Sequence, residues 1–173
     1  EDGEHLRLLR FRGQVFVQGH ALETHEARLR SRNLRLLFDP SEILEEVRAD
    51  GDVELILSSA GDEMRLLAKD FVQVNYNEGV PDRIVSSGDC QLESITAEGR
   101  DRLQAPRVEM RYQQGVLEKI VAEPGVRVES LHQGEISHTT IDRLEIIYLD
   151  GFMHEVIQSG NLRFWEGEPA TLE

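Results

Sequence analysis

Apolar and polar residues alternate along most of this chain. In Val108-Glu109-Met110-Arg111-Tyr112 the apolar positions are two apart and the intervening ones are charged. Val72-Gln73-Val74-Asn75-Tyr76 has the same form with polar residues between, and Leu144-Glu145-Ile146-Ile147-Tyr148 departs from it only at Ile147. Val126-Arg127-Val128-Glu129, Leu162-Arg163-Phe164 and Val53-Glu54-Leu55-Ile56-Leu57 also alternate. A period of two marks a half-buried strand, because successive side chains point to opposite faces of the pleat. The pattern predicts an all-β chain with helix nearly absent. Even Glu42-Ile43-Leu44-Glu45-Glu46, which looks briefly helical, falls at a hairpin position.

The alternation is written as a repeated unit. Its clearest copy runs from Leu103 to Val128: one run ending on Tyr112, a turn on Gln113, Gln114 and Gly115, and a second run, Ile120 to Val128, interrupted by Gly125. The closing aromatic recurs as Phe38, Tyr76, Tyr112 and Tyr148, about 36 residues apart, a period that signals repeat architecture. Gly79, Gly115 and Gly151 follow the tyrosines at a fixed offset, and Ser41, after Pro40, takes that slot in the first copy. Glycine there permits the positive φ of a short hairpin turn. Gly51, Gly88, Gly125 and Gly160 fall within the second runs, where glycine marks a bend or bulge, and Gly13 opens a partial copy. The spacing predicts one domain over residues 1–173, with four hairpin units of about 25 residues near 29–57, 67–92, 103–128 and 140–164. Polar connectors are expected at Ser58–Glu63, Thr96–Arg102 and Leu131–His138, and a fraying end from Glu166.

Composition narrows the partners. The 173 residues suffice for one domain with a core. The net charge is −14, from 33 acids against 19 bases, of which only Lys69 and Lys119 are lysines. That balance argues against nucleic acid and against loose adhesion to an anionic membrane, both of which need basic surface. Cys90 is the single cysteine, so no intrachain disulfide forms; it shares the parity of Leu92 and reads as a small buried hydrophobe. No apolar run approaches transmembrane length. Glu1 is not a natural start residue, so the chain reads as a processed or trimmed product.

No catalytic constellation, cofactor fingerprint or metal motif is visible. His20/His25 and His132/His138 fall in expected connectors at spacings that do not suit a metal site, and solvated loop histidines account for them. Glu54, Glu93, Glu109, Glu129 and Glu145 occupy the polar parity of strands and read as a solvated face. What remains is a long apolar stripe: Leu36, Phe38, Val53, Leu55, Val74, Tyr76, Ile84, Leu92, Met110, Tyr112, Ile120, Val126, Val128, Ile146, Tyr148, Val156, Leu162 and Phe164. If the hairpins stack side by side, these residues line one inner face. That face is either a dry core between two sheets or an apolar trough that opens to hold lipid tails.

The repeated unit resembles the OstA-like repeat of the lipopolysaccharide-transport family. The matching residues are Leu67, Ala68, Val72, Val74, Tyr76, Gly79, Ile84 and Gly88 in one copy. In the next they are Leu103, Ala105, Val108, Met110, Tyr112, Gly115, Leu117, Ile120, Ala122, Gly125 and Val126, and in the fourth Leu144, Ile146, Tyr148, Gly151, Val156 and Gly160. The resemblance covers Gly13 to Phe164 and departs from the family pattern at the Pro40-Ser41 turn and in the acidic net charge. It implies a twisted, open β-jellyroll of four hairpin repeats whose greasy interior shields the acyl chains of lipopolysaccharide (its lipid A portion) in the periplasm, with no chemistry and no cofactor in this chain. It also implies that unpaired edge strands join such domains head to tail, with other β-jellyroll transport proteins or as a homo-oligomer. The stripe implied as lipid-binding is the one given above, and Ile120→Asp or Met110→Asp is expected to abolish lipid uptake. The competing expectation is a β-repeat scaffold or polymer with a dry core and no lipid ligand.

Overall fold

The computed structural model describes residues 7–22, 25–59, 61–150 and 152–167. Among these, every regular element is a strand. The strands are β1 (Leu8–Leu22), β2 (His25–Phe38), β3 (Leu44–Asp50), β4 (Val53–Ser59), β5 (Asp62–Ala68), β6 (Phe71–Asn77) and β7 (Val80–Ile95). They continue with β8 (Gly99–Gln113), β9 (Val116–Glu123), β10 (Val126–His132), β11 (Glu135–Ile141), β12 (Arg143–Leu149), β13 (Phe152–Ser159) and β14 (Arg163–Glu166). All pairing is antiparallel.

The chain meanders, and each long run bends once near its middle. β3 enters β4 through Gly51 and Asp52, β5 enters β6 through Lys69 and Asp70, and β11 enters β12 through Asp142. β2 keeps going through its bend but changes partner: residues 26–30 pair with β4 and residues 33–38 with β3. β7 likewise pairs with β6 in its first half and β5 in its second. Hydrogen bonding therefore closes six strands, β7, β5, β4, β2, β3 and β6, into a barrel. β1 extends it beyond β2, and β8 to β14 extend it beyond β7. One half-sheet holds β3, β6, β9, β12 and β13, the other β4, β5, β10, β11 and β14, while β2, β7 and β8 run through both.

The bends are locked to one another. Gly51 N–H donates to the Asp70 carbonyl (2.8 Å), Asp70 N–H to the Ser87 carbonyl (3.1 Å), and Gly125 N–H to the Asp142 carbonyl (2.9 Å). Gly88 has φ +88°, and a Cβ there would lie 2.6 Å from the Asp70 backbone nitrogen. Gly160 (φ +95°) is occupied in the same way by the side chain of Asp142. Each of these glycines leaves the space into which the preceding run's aspartate folds. That is the physical reason for glycine inside an otherwise apolar strand.

The hairpin tips follow type I′ chemistry, with both central residues at positive φ: Glu78 and Gly79, Gln114 and Gly115, Gln133 and Gly134. A register shift falls beside each closing aromatic, at Phe38, Tyr76, Tyr112 and Tyr148. The extra residue on the facing strand is Glu45, Asp82, Glu118 or His154. Each of the first three bulges lets a polar residue step aside, so that Leu44, Pro81 and Leu117 keep company with the core.

The expected polar connectors are shorter than the sequence suggests. β8 begins at Gly99, and Leu131–His138 is two strand ends joined by a turn on Gln133 and Gly134. β4 and β5 extend through most of Ser58–Glu63. These strand ends carry polar residues on both faces, and a backbone ladder needs no apolar side chain to form, so alternation fades before pairing does. Glu166 also belongs to a strand, β14, and the rest of the expected fraying end lies outside the described residues apart from Gly167.

One hydrophobic cluster joins the two half-sheets. Leu34, Ala49, Val72, Ile84, Val108, Met110, Ile120, Ala122 and Leu144 come from one, and Val53, Leu55, Leu66, Ala68, Cys90, Leu92, Leu103, Ala105, Val126 and Ile141 from the other. The two halves therefore face each other with their inward parities interleaved.

Candidate functional site

The interior is not uniformly filled. Between the half-sheets, at the end bounded by β1, lies a cavity of about 430 Å³. Its walls from one half are Phe11, Leu34, Leu36, Leu44, Val47, Ala49, Val72, Val74, Tyr76, Pro81, Ile84 and Tyr112; from the other they are Val17, Gly19, Ala27, Leu29, Leu55 and Leu57. Among the described residues no charged side chain lines it. Burial raises the phenol pKa of Tyr76. It pushes that of Tyr112 up to about 12, with a smaller contribution from Tyr148. The cavity wall is thus neutral through the physiological range.

The cavity ends where the packing tightens. Val108, Met110, Ala122 and Val126 are almost wholly excluded from solvent, and Ile120, Ile141 and Leu144 nearly so. From Met110 onward the seam between the half-sheets is dry. At the opposite end, β1 pairs with β2 along one edge, and no described strand pairs with its other edge. Phe11 and Val17 line the cavity yet remain 46% and 42% exposed. The β1 side is its mouth.

The eighteen apolar positions named from the sequence divide accordingly. Leu36, Leu55, Val74, Tyr76, Ile84 and Tyr112 line the cavity. Val53, Leu92, Met110, Ile120 and Val126 are buried in the cluster, Leu55 and Ile84 being shared by both sets. Val128, Ile146 and Tyr148 pack against the cluster, and Phe38 is half-buried at a hairpin end. Val156, Leu162 and Phe164 are exposed, because β13 and β14 close the sheet at its far edge and nothing among the described residues covers them. Met153, 64% exposed, shares the face of Val156, and Phe152, 78% exposed, lies on the other face of β13. The wall residues that the stripe omits include Phe11, Val17, Ala27, Leu29, Leu44 and Leu57. Leu57 follows the Leu55 parity and Val17 the Val15 parity, so both were open to reading; Leu44 and Pro81 were hidden by the bulges beside them.

The outer faces carry charge in cross-strand clusters, and two carboxylates expected in solvent are buried there. Glu109 is 8% exposed. Arg83 binds it bidentately (2.9 and 2.7 Å), Arg111 binds at 2.9 Å and Arg107 at 3.3 Å. The Arg83 hydrogen bonds hold its pKa down to about 2, with Arg111 assisting against the opposing effect of burial. Glu93 is 3% exposed. Burial pushes its carboxyl up, but bonds from Arg100 and Arg102 outweigh that and leave it lowered. The arginine side chains, not water, solvate these acids. His138 also departs from the solvated-loop expectation: it is buried in β11, its ring stacked on Trp165 at 5.3 Å. His132 sits at an exposed strand end, 3.1 Å from Asp101. Cys90 is buried, with its thiol pKa raised chiefly by that burial.

Among the described residues no group of three His, Cys, Asp or Glu side chains is placed to hold a metal ion. Comparison of the chain with family models, curated proteins and solved structures finds no match. What the site can do rests on its own shape: its described walls offer a neutral, apolar recess of ligand-binding size.

Proposed function

We propose that this chain is a non-enzymatic lipid-binding module of the OstA-like lipopolysaccharide-transport type. In this reading its hairpin repeats form a twisted β-jellyroll, closed over six of its strands, and it shields lipopolysaccharide acyl chains from water in the periplasm on their way to the outer membrane. The observation that carries the reading is the apolar cavity between the half-sheets, open beside β1. Each methylene moved from water into such a site contributes about 0.8 kcal/mol. No bond is made or broken, so the site needs only shape and neutrality. The outer edges of β1 and of β13 and β14, unpaired among the described residues, support head-to-tail bridging with similar domains.

Native mass spectrometry with lipid A or lipopolysaccharide tests the reading. The unmodified chain retains a lipid adduct, and Val74→Asp, which places a carboxylate on the cavity wall, loses it. A folded chain that takes up no lipid defeats the proposal. Ile120 is the wrong site for this test, despite its place in the apolar stripe: it lies in the dry seam, where a buried unpaired charge would unfold the protein. A second reading, a β-repeat scaffold or polymer, is favoured by one observation, the exposed apolar surface of β13. Light scattering decides its weight: filaments or oligomers with no lipid uptake would establish it.

A further inference from the structure

The cavity is small for a lipid with several tails. A methylene takes up about as much room as one water molecule, whose share of the liquid is ~30 Å³. At that rate about 430 Å³ accommodates roughly 14 methylenes, one acyl chain of medium length. The lining stops at Tyr112: Met110, Val108, Ala122 and Val126 beyond it are buried and form no part of the wall. Its exposed lining residues, Phe11 and Val17, lie on β1.

The charge beside that opening is unlike the rest of the molecule. The chain carries −14 overall, yet the described residues of β1, β2 and Arg7 hold seven arginines and one acid, Glu26. Arg28, Arg30, Arg32 and Arg35 are each paired with a carboxylate. Arg7, Arg10 and Arg12 are exposed on or next to β1 and have no acidic partner among the described residues. Arg7 shares the parity of Leu9 and Phe11, while Arg10 and Arg12 alternate with them on the same free-edged strand.

Building on the lipid-binding reading above, we infer that the β1-side cavity is a blind site for one acyl chain bearing an anionic head, with Arg7, Arg10 and Arg12, which have no acidic partner among the described residues, on and beside the strand that borders its mouth. The tail enters past Phe11 and Val17 and stops at Tyr112. The head stays in water beside Arg7, Arg10 and Arg12. Free fatty acids and lysophospholipids share this chemistry, and either is a ligand in its own right. A lipid with several tails places only one of them here.

Native mass spectrometry and calorimetry on the full chain test this with four probes: myristate, myristoyl lysophosphatidylglycerol, uncharged tetradecanol and lipid A. The expected result is one equivalent of an anionic single-chain probe, bound at least ~10-fold more tightly than tetradecanol at low salt. Whichever of myristate and the lysolipid binds more tightly identifies the source of the chain. The triple variant Arg7→Glu, Arg10→Glu, Arg12→Glu is exposed at all three positions; it weakens the anionic probes and leaves tetradecanol unchanged. Ala27→Trp, which fills the cavity from its wall, weakens every probe. Two or more chains per protein, equal affinity for tetradecanol, or lipid A uptake that myristate fails to displace overturns the single-chain site and leaves the lipid-binding reading standing. No uptake of any probe by the folded chain defeats both.

Discussion

Replacing Glu109 by glutamine removes the acid on which three arginines converge. The lowering of its pKa from an ordinary 4.5 to about 2 corresponds to about 3 kcal/mol at ~1.4 kcal/mol per pH unit. Arg83, Arg107 and Arg111 keep 41–57% of their side-chain surface in water and recover solvation when the acid is gone, so about 2 kcal/mol is the expected net loss. For a chain of this length that lowers the unfolding temperature by roughly 4–8 °C. The pH dependence is the sharper signature. A carboxylate held below its unfolded pKa stabilises fully above about pH 4.5, and the contribution is lost as pH falls toward 2. Protonated Glu109 resembles glutamine, so the difference between wild type and Glu109→Gln is present at pH 7 and collapses near pH 2. Calorimetric or circular-dichroism melts at several pH values measure it. Equal melting temperatures at pH 7, or a difference that survives to pH 2, would refute the reasoning.

Two other perturbations probe the frame around the cavity. Gly88→Ala forces a non-glycine residue to φ +88° and drives its Cβ into the Asp70 backbone, whereas Gly134→Ala meets nothing within 4 Å. Urea titration is expected to show the first costing at least ~1 kcal/mol more than the second, and equal costs would contradict the interlocked bends. Cys90 is buried with a raised thiol pKa, so in the native chain it resists a disulfide reagent at pH 8 and reacts only on unfolding. Rapid native labelling would show that the seam opens there.

Much of the fold was legible because period two is a strong signal wherever one face is buried. Val72 to Tyr76 and Val108 to Tyr112 form β6 and the end of β8 as that alternation predicts. The glycine turns were legible for a similar reason: few residues other than glycine accept φ near +80° after a first residue near +50°. The bends were half visible. Gly88 and Gly160 signal them, but their partners Asp70 and Asp142 look like ordinary loop aspartates until the next run lies beside them. Glu93 and Glu109 read as solvent-facing because polar parity says only which face a residue occupies. Whether neighbouring arginines cover that face is a cross-strand property. The same limit applies to the site. Alternation places Val74, Met110 and Phe164 on equivalent positions, and only the packing separates a cavity wall from a dry core and from an open edge.

Site-specific photocrosslinking most directly tests the claim that acyl chains enter the β1-side cavity. A photoreactive side chain replaces Val74, on the cavity wall, or Val121, whose cross-strand partners are Glu109 and Glu145 on the charged outer face. Each variant is irradiated with a radiolabelled acyl lipid after its fold is confirmed. The account predicts label at position 74 and none at 121. Equal labelling at both positions, or labelling at 121 alone, would contradict it.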